Sequence, residues 1–154
     1  MKKDRFLIGI LIGIAVLVVV ALVLAFTRQG TKTYVSEDTP EGVLHNFVMA
    51  LHNNEYQRAY GYLVEADDKP NYDEFRQAFL RERSDTLQTD LIIGEIELQG
   101  DDEAYIHVTI IHAGSGPFDE LYHETATASL TRQSGEWKIT NLPYPYWRWE
   151  WYKD

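Results

Sequence analysis

The chain contains no cysteine. That excludes disulfides and thiolate metal sites, so any domain must hold together through its core alone. Cations are scarce beside anions, 14 Lys and Arg against 24 Asp and Glu, for a net charge of -10. A domain so acidic repels nucleic acid and anionic lipid headgroups. The chain also lacks a nucleophile elbow, a phosphate-binding glycine loop and a dinucleotide fingerprint. The acidic groups Asp67-Asp68, Asp101-Asp102-Glu103 and Asp119-Glu120 lack the alternating ligands and glycine of a calcium loop and read as solvated turns. His45 and His52 sit two helical turns apart, farther than the adjacent pair of a helical zinc site, and no third ligand follows. No metal and no cofactor are expected.

Charge is wholly missing from one long stretch, the run from Phe6 to Phe26, which is rich in Leu, Ile and Val. As a helix it would be roughly 31 Å long, the thickness of a bilayer's hydrocarbon core. It is too long for the apolar core of a cleaved signal, although Val23-Leu24-Ala25 offers small residues for cleavage, and it has no polar stripe for a soluble core helix. The predicted organisation is a basic end (1–5), a transmembrane helix (6–27), a tether (28–38), one domain (39–142) and an aromatic end (143–154). Lys2, Lys3 and Arg5 place the N-terminus in the cytoplasm and the domain outside. Gly9 and Gly13 have a spacing that allows close helix pairing.

Beyond the run, about 115 residues suffice for one modest core. Thr39-Pro40-Glu41 combines a capping hydroxyl, a first-turn proline and an acid, and starts a helix to about His52 with Val43, Leu44, Phe47 and Leu51 on one face. A second helix spans 55–63, with Tyr56, Ala59, Tyr60 and Leu63 aligned. Asn71 with Glu74 forms a capping box for a third helix, to about Arg83. The period then changes to two. Strands are predicted over 87–98, 104–113, 121–132 and 137–142, joined by short turns that imply antiparallel neighbours. In the second strand Ala104, Ile106, Val108 and Ile110 share one face, and Tyr105, His107, Thr109 and Ile111 the other.

The class is therefore α+β: three helices on a curved four-stranded antiparallel sheet. Two local patterns, Asn54-Glu55-Tyr56 before Arg58-Ala59-Tyr60 and Leu63, and Gly135-Glu136-Trp137-Lys138-Ile139, resemble the NTF2-like superfamily. The resemblance implies a cone between helices and sheet, which enzymes of that superfamily line with acids, histidines and tyrosines for proton transfer. Candidates for such chemistry are Tyr60, His107 and His123, with Tyr105, Thr109 and Thr125 nearby. Pairing of the second and third strands around Ser115 and Gly116 would make Thr109 and His123 approximate cross-strand neighbours, with no acid clearly beside them. The same residues also suit an ordinary solvated sheet face.

Three of the four tryptophans fall in the end segment. Tyr144, Tyr146, Trp147, Trp149 and Trp151 form a candidate ligand or partner surface, with the tryptophans alternating as on one face of a strand. The segment could fold back as an edge strand or lid, meet the membrane interface, or dock a partner protein or glycan. The expected role is binding or assembly beside the membrane, with an envelope protein or a second copy as partner. Bitopic proteins similar to the superfamily include scaffold subunits of bacterial secretion and conjugation machines, and other relatives are accessory domains of cell-wall enzymes. The alternative is small-ligand binding or acid-base catalysis in the cone.

Overall fold

The computed structural model describes Ile10 and residues 12–20, 33–112 and 121–152. The chain divides into two compact units, Met1–Thr33 and Tyr34–Asp154. In the first, Ile10 and residues 12–20 are helical, with their apolar side chains exposed. Among the described residues no helix is long and apolar enough to cross a membrane. The predicted span from Phe6 to Phe26 runs past the described residues at both ends.

The second unit contains α1 (Pro40–His52), α2 (Tyr56–Gly61), α3 (Tyr72–Arg81), α4 (Arg83–Leu87), β1 (Thr89–Gln99), β2 (Glu103–His112), β3 (Tyr122–Gln133) and β4 (Glu136–Asn141). The starts of α1 and α3 follow the local chemistry. Thr39 accepts the Gly42 N–H at 3.3 Å, and Asn71 and Glu74 form a reciprocal capping box at 3.0 and 3.2 Å. The short helix α4 was not expected. It carries no apolar repeat and is held by packing on its neighbours.

The strands form one antiparallel sheet in the order β1-β2-β3-β4. Ser134 and Gly135, with φ of 55° and 86°, both adopt the left-handed backbone that a tight β3–β4 turn requires. The free edge of β4 is partly covered. Val64 donates to the Ile139 carbonyl at 3.0 Å and Ile139 to that of Tyr62 at 2.8 Å.

Alternation along β2 puts Ala104, Ile106, Val108 and Ile110 in the core, joined from β3 and β4 by Ala128, Leu130, Trp137 and Ile139. The helices supply Leu44, Phe47, Phe75 and Phe79, and the segment after α2 supplies Leu63, all at most 2% exposed. Phe75 meets Phe47, Tyr60, Phe79 and Trp151 with ring centroids 6.5, 5.4, 5.0 and 5.4 Å away. Such edge and tilted contacts add to the area term of burial.

The boundary between tether and domain lies earlier than the sequence suggests. Buried Asn46 on α1 accepts the Val35 N–H and donates to the Val35 carbonyl, both at 2.9 Å, so the segment from Tyr34 to Asp38 belongs to the folded unit. A Cβ at Gly42 would overlap the Ser36 carbonyl oxygen, which is why glycine stands where this segment crosses α1.

Candidate functional site

The space between helices and sheet is occupied. Tyr146, from the end segment, is fully buried in it, where its hydroxyl accepts from Thr89 Oγ1 and donates to the Thr89 carbonyl, both at 3.2 Å. The other buried polar side chains among the described residues are Asn46, Thr86 and Thr89, each hydrogen-bonded to backbone. No acid or histidine is buried there among the described residues.

The residues proposed for proton transfer are spread over different surfaces. His107, with Tyr105, Thr109, His123 and Thr125, lies on the sheet face opposite the buried Ile106, Val108 and Ile110. His107 pairs with Glu97 across β1 at 3.1 Å, with both side chains more than half exposed. Thr109 faces Thr125, and His123 faces Ile111, so Thr109 and His123 are diagonal rather than direct partners. The pairing is centred beyond the predicted Ser115–Gly116 turn. Tyr60 is on the helical side. It donates to the Pro70 carbonyl at 2.8 Å, packs on Tyr72 and Phe75, and lies under the Lys69 ammonium, 4.0 Å from the ring centroid. Burial, followed by Glu65 and Glu74, pushes its phenol up from the ordinary value. These contacts staple α2 to the loop before α3.

The aromatic end segment folds back as a series of turns and is not an edge strand. Strand-like alternation would align Trp147, Trp149 and Trp151. Instead Trp147 and Trp151 are each 7% exposed, whereas Trp149 is 79% exposed and Tyr144 48%. Trp151 packs on Phe75 and Phe79, and Trp147 packs on Trp151 and stacks on Tyr152. Polar bonds fix the segment at three places. Tyr144 donates to Asp85, Tyr152 donates to the Val64 carbonyl at 2.7 Å, and Arg148 pairs with Glu82 while donating to the Ala78 carbonyl at 3.1 Å.

Two of the external grooves among the described residues gather several charged side chains. The first, about 490 Å³, runs between α3 and the end segment past Glu74, Gln77, Glu82, Arg148 and Trp151. The second, about 560 Å³, lies between the Glu37 segment, α2 and the β3–β4 hairpin. In the second, Glu37 accepts from Tyr62 at 2.7 Å and from Arg58 and Asn46 at 3.3 Å, and Arg58 Nε donates to the Tyr62 oxygen at 2.9 Å. The Tyr62 bond, more than the cation, holds the Glu37 carboxyl below its ordinary value. Sequence reasoning missed both grooves. Their residues come from separate segments, and Glu37 looked like part of a polar tether.

Burial pushes the phenols of Tyr62 and Tyr146 up to about 12, and the Asp85 bond does the same for Tyr144. Below pH 10 these groups are neutral in both folded and unfolded chains, and their packing is fully available. As pH rises from 10 to 12 the unfolded chain ionises first, so stability falls. The buried Tyr146 alone accounts for a loss of about 3 kcal/mol. Urea midpoints at pH 9 and above pH 11 should show this fall, and Tyr146→Phe should remove part of it. Equal midpoints would contradict it.

The architecture is thus an α+β domain with helices on one face of an antiparallel sheet and a filled interior. No family model and no curated protein matches the chain. Solved structures do. A SEC-C motif containing protein from Rhodopseudomonas palustris is similar at 12% identity, with TM-score 0.51, over 70% of this chain and 79% of that one. An NTF-2 like protein of unknown function from Shewanella oneidensis MR-1 matches at 13% identity and TM-score 0.47, over 64% and 88%. A ketosteroid isomerase-like protein from Erwinia carotovora atroseptica matches at 13% and 0.45, over 65% and 87%. At these identities the likeness is one of fold.

Proposed function

We propose that this chain is a single-pass, membrane-anchored binding or assembly domain of NTF2-like fold, held outside the cytoplasm by the run from Phe6 to Phe26. It works through its outer surfaces and not through a cavity in the cone. The observation that carries the binding role is the buried Tyr146. The end segment contributes this fully buried side chain to the core, and its hydroxyl is already bonded to Thr89. Acid-base catalysis needs a titratable group within reach of a bound substrate. Tyr60 lies on the helical side, whereas His107 and His123 lie on the outer sheet face at pairing positions four residues apart, so the three do not converge on one place. The anchor rests on the length and apolarity of its sequence and on the basic residues before it.

The absence of cysteine makes the topology directly testable. In intact cells a membrane-impermeant maleimide should label Asp101→Cys, and should label Lys3→Cys only after permeabilisation. The reverse pattern, or release of the full chain by alkaline carbonate, would contradict the anchored arrangement. Photoreactive side chains introduced at Arg81 and Leu98 in the anchored protein should give discrete adducts with an envelope protein or a second copy. No adduct from either surface would contradict the assembly role.

A further inference from the structure

The 560 Å³ groove has an uneven balance of unmet bonds. Its acids are engaged: Glu37 with Tyr62, Arg58 and Asn46, Glu136 with Lys138 at 2.9 Å, and Asp38 with the Ser36 hydroxyl at 2.6 Å. Two of its cations are engaged as well, because Arg58 holds Glu37 and Tyr62 while Lys138 holds Glu136 and the Gly61 carbonyl. Arg132 differs. Its guanidinium makes no hydrogen bond or ion pair among the described residues and lies over the Trp137 ring, 4.9 Å from the centroid. Trp137 is only 5% exposed, and its Nε1–H is buried without an acceptor among the described residues. A buried donor left unmet is destabilising, and buried indoles usually find a partner. What this corner of the groove lacks is an acceptor.

We propose that the groove binds a carboxylate, received by the Arg132 guanidinium and the Trp137 indole N–H together. The planar guanidinium fork matches two carboxylate oxygens. Arg132 is exposed, and in the proposed complex it lifts from the ring while the ligand reaches the buried indole N–H. Glu37, Asp38 and Glu136 line the same groove, and the domain carries about -12. That field penalises a dianion such as phosphate more than a singly charged carboxylate. The volume beyond the two oxygens suits the body of a small organic acid or the end of a peptide. This inference deepens the outer-surface reading by giving one surface a ligand chemistry.

The test is titration of the ¹⁵N-labelled full chain in mild detergent, following its four tryptophan indole N–H signals, with Trp137→Phe assigning one of them. The probes are acetate, N-acetyl-Ala-Ala, the C-terminal amide of that peptide, and inorganic phosphate. Both carboxylates should move the Trp137 signal saturably and the amide should not. Tighter binding of the peptide than of acetate would identify a peptide end, and equal binding a small organic acid. Arg132→Gln, with its other indole signals in place, should weaken the response about tenfold. A stationary signal, an equal response to the amide, an unaffected Arg132→Gln variant, or a response to phosphate alone would overturn the proposal. Such a failure would leave the topology and cross-linking results untouched, since those read other residues.

Discussion

Truncation after Leu142 should unfold the domain. The residues lost include Tyr146, Trp147 and Trp151, all buried, and their loss uncovers Phe75 and Phe79, which Trp151 covers at ring distances of 5.4 and 5.9 Å. Removing one large buried aromatic costs about 3–5 kcal/mol. Three together reach the whole stability of an ordinary domain, about 5–15 kcal/mol. The truncated chain should therefore lose near-ultraviolet dichroism and amide chemical-shift dispersion at 25 °C. Retention of both, with an unchanged melting temperature, would mean that the segment is an appendage and that the interior closes without it.

Phe75→Ala should be the most damaging single substitution of the helical layer, at about 3–5 kcal/mol in urea unfolding of the full-length chain. Phe75 is fully buried and joins residues distant in sequence, with Phe47 on α1, Tyr60 on α2 and Trp151 in the end segment all against its ring. The hole left by its ring is bounded by other rigid rings, which can collapse only partly. Phe75→Leu should recover more than half of the loss, because it restores most of the volume. A cost for Phe75→Ala below about 1 kcal/mol would contradict the packing described.

The pattern of elements was legible because each follows from local chemistry. Thr39-Pro40 and Asn71 with Glu74 mark two helix starts, and the alternation of Ala104, Ile106, Val108 and Ile110 fixes which face of β2 is buried. Helix α4 was not legible, since Arg83–Leu87 has no periodicity and is too short to form without tertiary support. Alternating tryptophans suggested a strand at the chain end. Pro143 and Pro145 turn the backbone instead, so Trp147 and Trp151 enter the core while Trp149 faces out. The role of Asn46 was hidden for a different reason. Its amide clamps Val35, eleven residues earlier, and nothing about an asparagine on a helix discloses such a partner. The Arg132 and Trp137 corner was invisible in the same way, because an unmet donor is a property of the folded surroundings.

The chain's own aromatic end closes the interior of the domain. Xenon enters dry apolar cavities and reports them directly. Crystals of the protein under xenon pressure should show no xenon among Phe47, Phe75, Ile106 and Tyr146. A well-occupied xenon site bounded by those side chains would reveal an open cone and contradict the assignment of function to the outer surface.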